Sequence, residues 1–113
     1  MITVKRIYDD ASEDDGFRVL VDRLWPRGIS KERAALDLWL KDVAPSTELR
    51  QWFHHEKPPF AEFARQYDAE LDSNAAVGEL RAIVAAHPVV TLLVAVKDAN
   101  ENHATVLRDH LQS

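Results

Sequence analysis

Residues 89–96 read VVTLLVAV, the most apolar run in the chain. The run follows Pro88, holds four valines and is only eight residues long. That is too short for a core helix and rich in β-branched side chains, so it predicts a strand. It shows no alternation of polar and apolar residues. A strand with both faces apolar is covered on both sides, as happens in parallel sheets sandwiched by helices. This one segment therefore predicts an α/β fold.

The rest of the chain fits that frame. ITVKRIY (2–8) and FRVLVDRL (17–24) read as further strands, and Val19, Leu20 and Val21 are again apolar on both faces. LDLWLKDV (36–43) predicts a third strand before the VVTLLVAV run, with Leu36, Leu38 and Leu40 on one side. The acidic segment DDASEDDG (9–16) between the first two reads as a solvated loop closed by Gly16. Ser30 is placed to cap a short turn through KERAA, and Ser46 to cap a helix through STELRQWFHH. From Phe60, the spacing of Phe63, Ala64, Tyr67 and Leu71 predicts an amphipathic helix. A further helix follows at 75–86. The loop KDANEN leads to a last one with Ala104, Val106, Leu107 and Leu111 inward. The expectation is a single domain over 1–113, with a small, mostly parallel sheet of three or four strands flanked by helices.

Composition narrows the function classes. There is no cysteine, which removes disulfides, thiolate metal sites and a cysteine nucleophile. The net charge of −5 disfavours binding to nucleic acid, whose affinity comes largely from neutralising phosphates. The N-terminus lacks the build of a signal peptide, and no apolar run approaches the roughly 20 residues that span a bilayer. A cytoplasmic protein without a membrane partner is expected. No P-loop, dinucleotide fingerprint or nucleophile elbow occurs, and no cofactor is implied. His54 and His55 are adjacent and point about 100° apart around a helix, so they do not share a metal.

In open α/β sheets, ligands bind beyond the carboxyl ends of the strands. That rule selects two loops. After the second strand, VDRLWPRGIS (21–30) sets Asp22, Arg23, Trp25 and Arg27 around Pro26 and Gly28. Arginine's planar fork suits phosphate or carboxylate, and Trp25 offers a face for stacking. After the VVTLLVAV run come Lys97 and Asp98, then Asn102 and His103 where the last helix begins. A cation at the end of so apolar a strand has no structural need there, and a histidine at a helix start can move a proton. Arg50 lies one turn before His54, so these two share a helix face and can project together into a cleft. Ser46 has an adequate role as a cap.

With KRIYD, VDRLWPRGI, LWLKDVAPSTELRQWFHH, FARQY and ENHA in this order, the chain resembles the YeaO-like branch of the domain-of-unknown-function 488 family. The resemblance covers nearly the whole chain and implies no established reaction. It adds Lys5, Arg6, Trp39, Lys41, Pro45 and Ser46 to the motif positions, alongside Asp22, Arg23, Trp25, Arg27, Arg50, Asn102 and His103. Longer relatives in the family carry a Cys-His-Arg near the start of the last helix. This chain has Asn102-His103-Ala104 there, so thiol chemistry is not inherited. The motif is rich in cations, and parallel strands would bring several of them to one rim.

These readings predict a cationic cleft that binds a small anionic ligand resembling phosphate, a carboxylate or a nucleotide. His103 and His54 are the candidates for acid–base catalysis. The alternative is a non-catalytic interaction module or homodimer anchored by Trp25, Trp39 and Trp52. Nucleic-acid binding, or a regulator of transcription, ranks last.

Overall fold

The computed structural model describes every residue from Met1 to Ser113. Its four strands form one parallel sheet: β1 (Ile2–Arg6), β2 (Phe17–Leu20), β3 (Leu38–Trp39) and β4 (Val90–Val94), in the order β1-β4-β2-β3. The VVTLLVAV run supplies β4, and every residue of that strand is buried between β1 and β2. Five helices accompany the sheet: α1 (Lys31–Ala34), α2 (Thr47–Glu56), α3 (Phe60–Asp72), α4 (Ala76–Ala86) and α5 (His103–Gln112). The α/β expectation holds, with a sheet that is parallel throughout.

Side-chain alternation along the strands sorts the core into two unequal parts. Val90, Leu92 and Val94 of β4 point to one face together with Val19 and Val21, and meet Phe63, Tyr67, Leu71, Leu80 and Leu107 from α3, α4 and α5. Leu93 and Leu20 point to the other face, where Ile7, Ile29 and Ala34 complete a smaller cluster under α1. Both sides of β4 are thus sealed, which is what its uninterrupted apolar sequence requires.

The strands are shorter than their sequence patterns suggest. The ladder continues past β1 and β2 as single bonds, Ile7 N–H to the Val94 carbonyl at 2.7 Å and Val21 N–H to the Leu93 carbonyl at 3.1 Å. The largest difference is at 36–43. Only Leu38 and Trp39 pair as strand, and Lys41–Val43 winds into a 3-10 turn. Leu36 packs in the smaller cluster and Leu40 in the larger, so the three leucines do not share a face. An edge strand is paired on one side only, and two residues are enough here to pass the chain to α2.

The acidic loop also departs from expectation. Glu13–Asp15 forms a 3-10 turn capped by Ser12, and Asp15 is buried. Its carboxylate pairs with Arg18 at 2.5 Å and Lys5 at 3.1 Å, while Arg18 also donates to the Ala34 and Ala35 carbonyls. A charge pattern that reads as solvated thus holds an internal ion pair, because Arg18 on β2 points into the sheet's second face.

Candidate functional site

The carboxyl ends of β2 and β4 are tied together by one side chain. Asp22, just past β2, accepts the Ala95 amide on Oδ2 at 2.8 Å, and its own carbonyl accepts the Trp39 indole N–H at 2.7 Å. On the other side, Nε2 of His103 lies 3.0 Å from Asp22 Oδ1 and 3.2 Å from the Val21 carbonyl. A carbonyl only accepts, so Nε2 carries the hydrogen in this contact, and in the neutral ring Nδ1 is the acceptor. Asn102 sets this geometry. It caps α5 through the Thr105 amide at 3.1 Å and donates to the Asp98 carbonyl at 2.8 Å.

Around this junction lies a cavity of about 620 Å³. The 21–30 segment contributes Asp22, Arg23, Leu24, Trp25, Pro26 and Arg27. From α2 come Arg50, Phe53 and His54, and from α3 comes Phe63. The β4–α5 connection supplies Val96, Asp98, Glu101, Asn102 and His103. Trp25 is fixed by its indole N–H bond to the Ile29 carbonyl at 2.7 Å and by an edge contact with Trp39, ring centres 5.5 Å apart. Tyr67 packs edge-on against His103, ring centres 6.3 Å apart. It is fully buried, bonds the Val43 carbonyl through its hydroxyl, and burial pushes its phenol well above its ordinary 10.0.

The arginines differ in their settings. Arg23 is half-buried, and its Nη2 donates to the Ala44 carbonyl at 3.2 Å. Its Nε is buried without a hydrogen-bond partner, as is Oδ1 of Asp22. Arg27 and Arg50 are exposed. None of the three has a carboxylate oxygen within 4.0 Å; Arg6 and Arg81 also lack one but bond backbone carbonyls, whereas Arg18, Arg33, Arg65 and Arg108 are paired. The lining is not uniformly cationic, because Asp22, Asp98 and Glu101 share it with the three arginines.

Several residues selected from sequence lie elsewhere. Lys5 is engaged with Asp15 and with the Asp10 carbonyl at 2.7 Å. Arg6 donates to the Val96 carbonyl at 3.0 Å and stands over the Tyr8 ring. Lys41 stands over the Trp39 ring, 5.1 Å from its centre. Ser46 caps α2 through the Leu49 amide, and its hydroxyl and amide both donate to Glu70, at 2.6 and 3.0 Å. That carboxylate occupies the helix start where an external anion would sit. Lys97 is exposed outside the cavity, because β4 stops at Val94 and Lys97 falls three residues into the loop. The reading from sequence also missed Phe53, Phe63 and Glu101 as lining. Phe53 and Phe63 stack with ring centres 4.3 Å apart. Their helical spacing marks them only as core.

A family model described as the inactive DUF488-N3 subclade matches residues 1–113. The chain belongs to the DUF488 family. Among relatives, it is 50% identical over 112 residues to the Uncharacterized protein YeaO of Escherichia coli (strain K12), covering 99% of this chain and 97% of that one. It is 48% identical over 106 residues to the Uncharacterized protein Mb3100c of Mycobacterium bovis, covering 94% and 89%. No solved structure matches the chain. For this DUF488 member, the stretch VDRLWPRGI that carried the resemblance is also the segment that builds most of one cavity wall.

Proposed function

We propose that this DUF488 protein binds a small anion-bearing ligand in the cleft between the 21–30 segment, α2 and the start of α5. The carrying observation is Arg23, a half-buried guanidinium with a buried, unpartnered Nε and no carboxylate beside it. Charges withdrawn from water are ordinarily paired. Arg27 and Arg50 line the same cavity, equally without carboxylate partners. The apolar surface of Trp25, Phe53 and Phe63 suits a ligand with a flat or aliphatic body.

The description of the matched subclade as inactive supports binding rather than catalysis. In this reading His103 and His54 are ligand-contacting groups, and His103 is held by the end of β2 rather than poised by a nucleophile. A thermal-shift screen with phosphate, sulfate, nucleotides and sugar phosphates tests the proposal. A ligand at 100 times its Kd adds about 2.7 kcal/mol, several degrees for a domain of this size. A panel that leaves the melting temperature unmoved, or a shift that survives Arg27→Ala, overturns it.

The second reading, a protein-interaction surface or homodimer, draws on Leu24 and Val96, which line the cavity yet are exposed. Trp25 and Trp39 support it less, since both indole N–H groups are already bonded within the chain. Monomers by light scattering under all conditions count against the homodimer.

A further inference from the structure

Apart from Asp22 at the end of β2, the opposite charges that line this cavity come from different segments and do not meet. Arg23 and Arg27 come from the loop after β2, and Arg50 from α2. Asp98 and Glu101 come from the connection between β4 and α5. No arginine nitrogen of the first group approaches any carboxylate oxygen within 4.0 Å. Asp98 Oδ1 accepts the amides of Asn100 at 2.8 Å and Glu101 at 3.0 Å, and Asn102 donates back to the Asp98 carbonyl. These bonds fix the turn and leave Asp98 Oδ2 and the Glu101 carboxylate without partners in the chain. Trp25, Phe53 and Phe63 line the same cavity.

From this separation we infer that the ligand is a zwitterion: an anionic head on the arginines, an apolar or aromatic body, and a cationic nitrogen facing Asp98 and Glu101. The inference rests on the anion-binding reading of the same cleft and specifies its ligand class. A polyanion reaching across the cavity meets two carboxylates, which disfavours it. A single inorganic anion leaves most of the space empty, because about 620 Å³ falls within the range of roughly 300–1,000 Å³ found for clefts that take drug-sized molecules. The carboxylates are exposed, so their contribution is selectivity between ligands of equal body and head rather than the bulk of the affinity.

The test compares two probes that differ only in the nitrogen, tyramine phosphate and 4-ethylphenyl phosphate, by titration calorimetry at low ionic strength, where exposed charges are least screened. Tyramine phosphate is expected to bind about threefold tighter, with that preference gone in Asp98→Asn/Glu101→Gln and both probes weakened by Arg27→Ala. Asparagine at 98 retains the acceptor that holds the turn. Glu101→Gln alone, which disturbs no bond, should lose part of the preference. Equal binding of the two probes, or a preference that persists in the double variant, overturns the zwitterion inference while leaving the anion site standing. If neither probe binds, the anion reading fails and this inference fails with it.

Discussion

His103 Nε2 lies 3.0 Å from Asp22 Oδ1, joining the first residue of α5 to the end of β2. The other oxygen of the same carboxylate holds the Ala95 amide at 2.8 Å, so one side chain aligns two neighbouring strand ends with the helix that follows β4. Asp22→Ala leaves that amide without its acceptor and removes the carboxylate beside His103, whose Nε2 keeps its bond to the Val21 carbonyl. A loss of about 1–3 kcal/mol in urea unfolding is expected. Asp22→Asn keeps an acceptor for Ala95 and should lose less. Equal stability of Asp22→Ala and the parent would remove Asp22 from its place as organiser of the site.

Arg27→Ala and Arg50→Ala should leave the fold intact. Both side chains are exposed, and neither makes a hydrogen bond or ion pair within the chain. Changes at such positions usually stay within about 0.5 kcal/mol. The expected result is an unchanged melting temperature without ligand, together with loss of the ligand-induced shift. A large drop in stability without ligand would instead make these arginines structural.

Gly16→Ala should be severely destabilising. Gly16 has φ 63° and ψ −133°, and an added Cβ would lie 2.3 Å from the Val89 carbonyl oxygen. That carbonyl accepts the Phe17 amide at 3.0 Å, a bond at the start of the β2–β4 pairing. Strained backbone alone costs about 1–3 kcal/mol, and the clash adds to it. Hydrogen exchange at Phe17 reads out the effect, since opening there should become faster than in the parent. An unaltered rate would mean that the chain shifts around the methyl group at little cost.

The fold was legible because its decisive segment is governed by burial alone. Residues 89–96 carry one polar side chain, Thr91, and a strand covered on both faces satisfies that pattern. The 36–43 segment misled because Leu36, Leu38 and Leu40 alternate as a strand would, yet the edge of the sheet needs just two paired residues. The loop rule selected Asp22, Arg23, Arg27 and His103 from strand ends, and helical spacing joined Arg50 to His54; all six line the cavity. Lys97 and Ser46 were misplaced for different reasons. The strand ended earlier than its hydropathy, and Glu70, 24 residues away in sequence, claims the Ser46 hydroxyl. Such distant pairings leave no local signal.

Acid stability depends on Asp15 and Arg18, whose side chains are 9% and 5% exposed. Burial alone would raise the Asp15 carboxyl. The Ser12 amide, Lys5 and Arg18 all donate to it, and together they outweigh burial and hold it below its ordinary 3.8. A carboxyl whose pKa falls on folding adds stability that is complete above the unfolded value. That stability is lost as the pH drops below 3.8 toward the folded value. Asp15→Asn should therefore flatten the dependence of unfolding free energy on pH below 3.8, while lowering stability at pH 7. Breaking a buried pair from one side costs about 3–5 kcal/mol, because the remaining charge stays buried. Replacing both partners, Asp15→Leu with Arg18→Met, should recover only part of that loss. Arg18 also satisfies the Ala34 carbonyl at 2.8 Å and the Ala35 carbonyl at 3.2 Å, and no methionine can. Full recovery in the double variant would show that those two carbonyls find other donors.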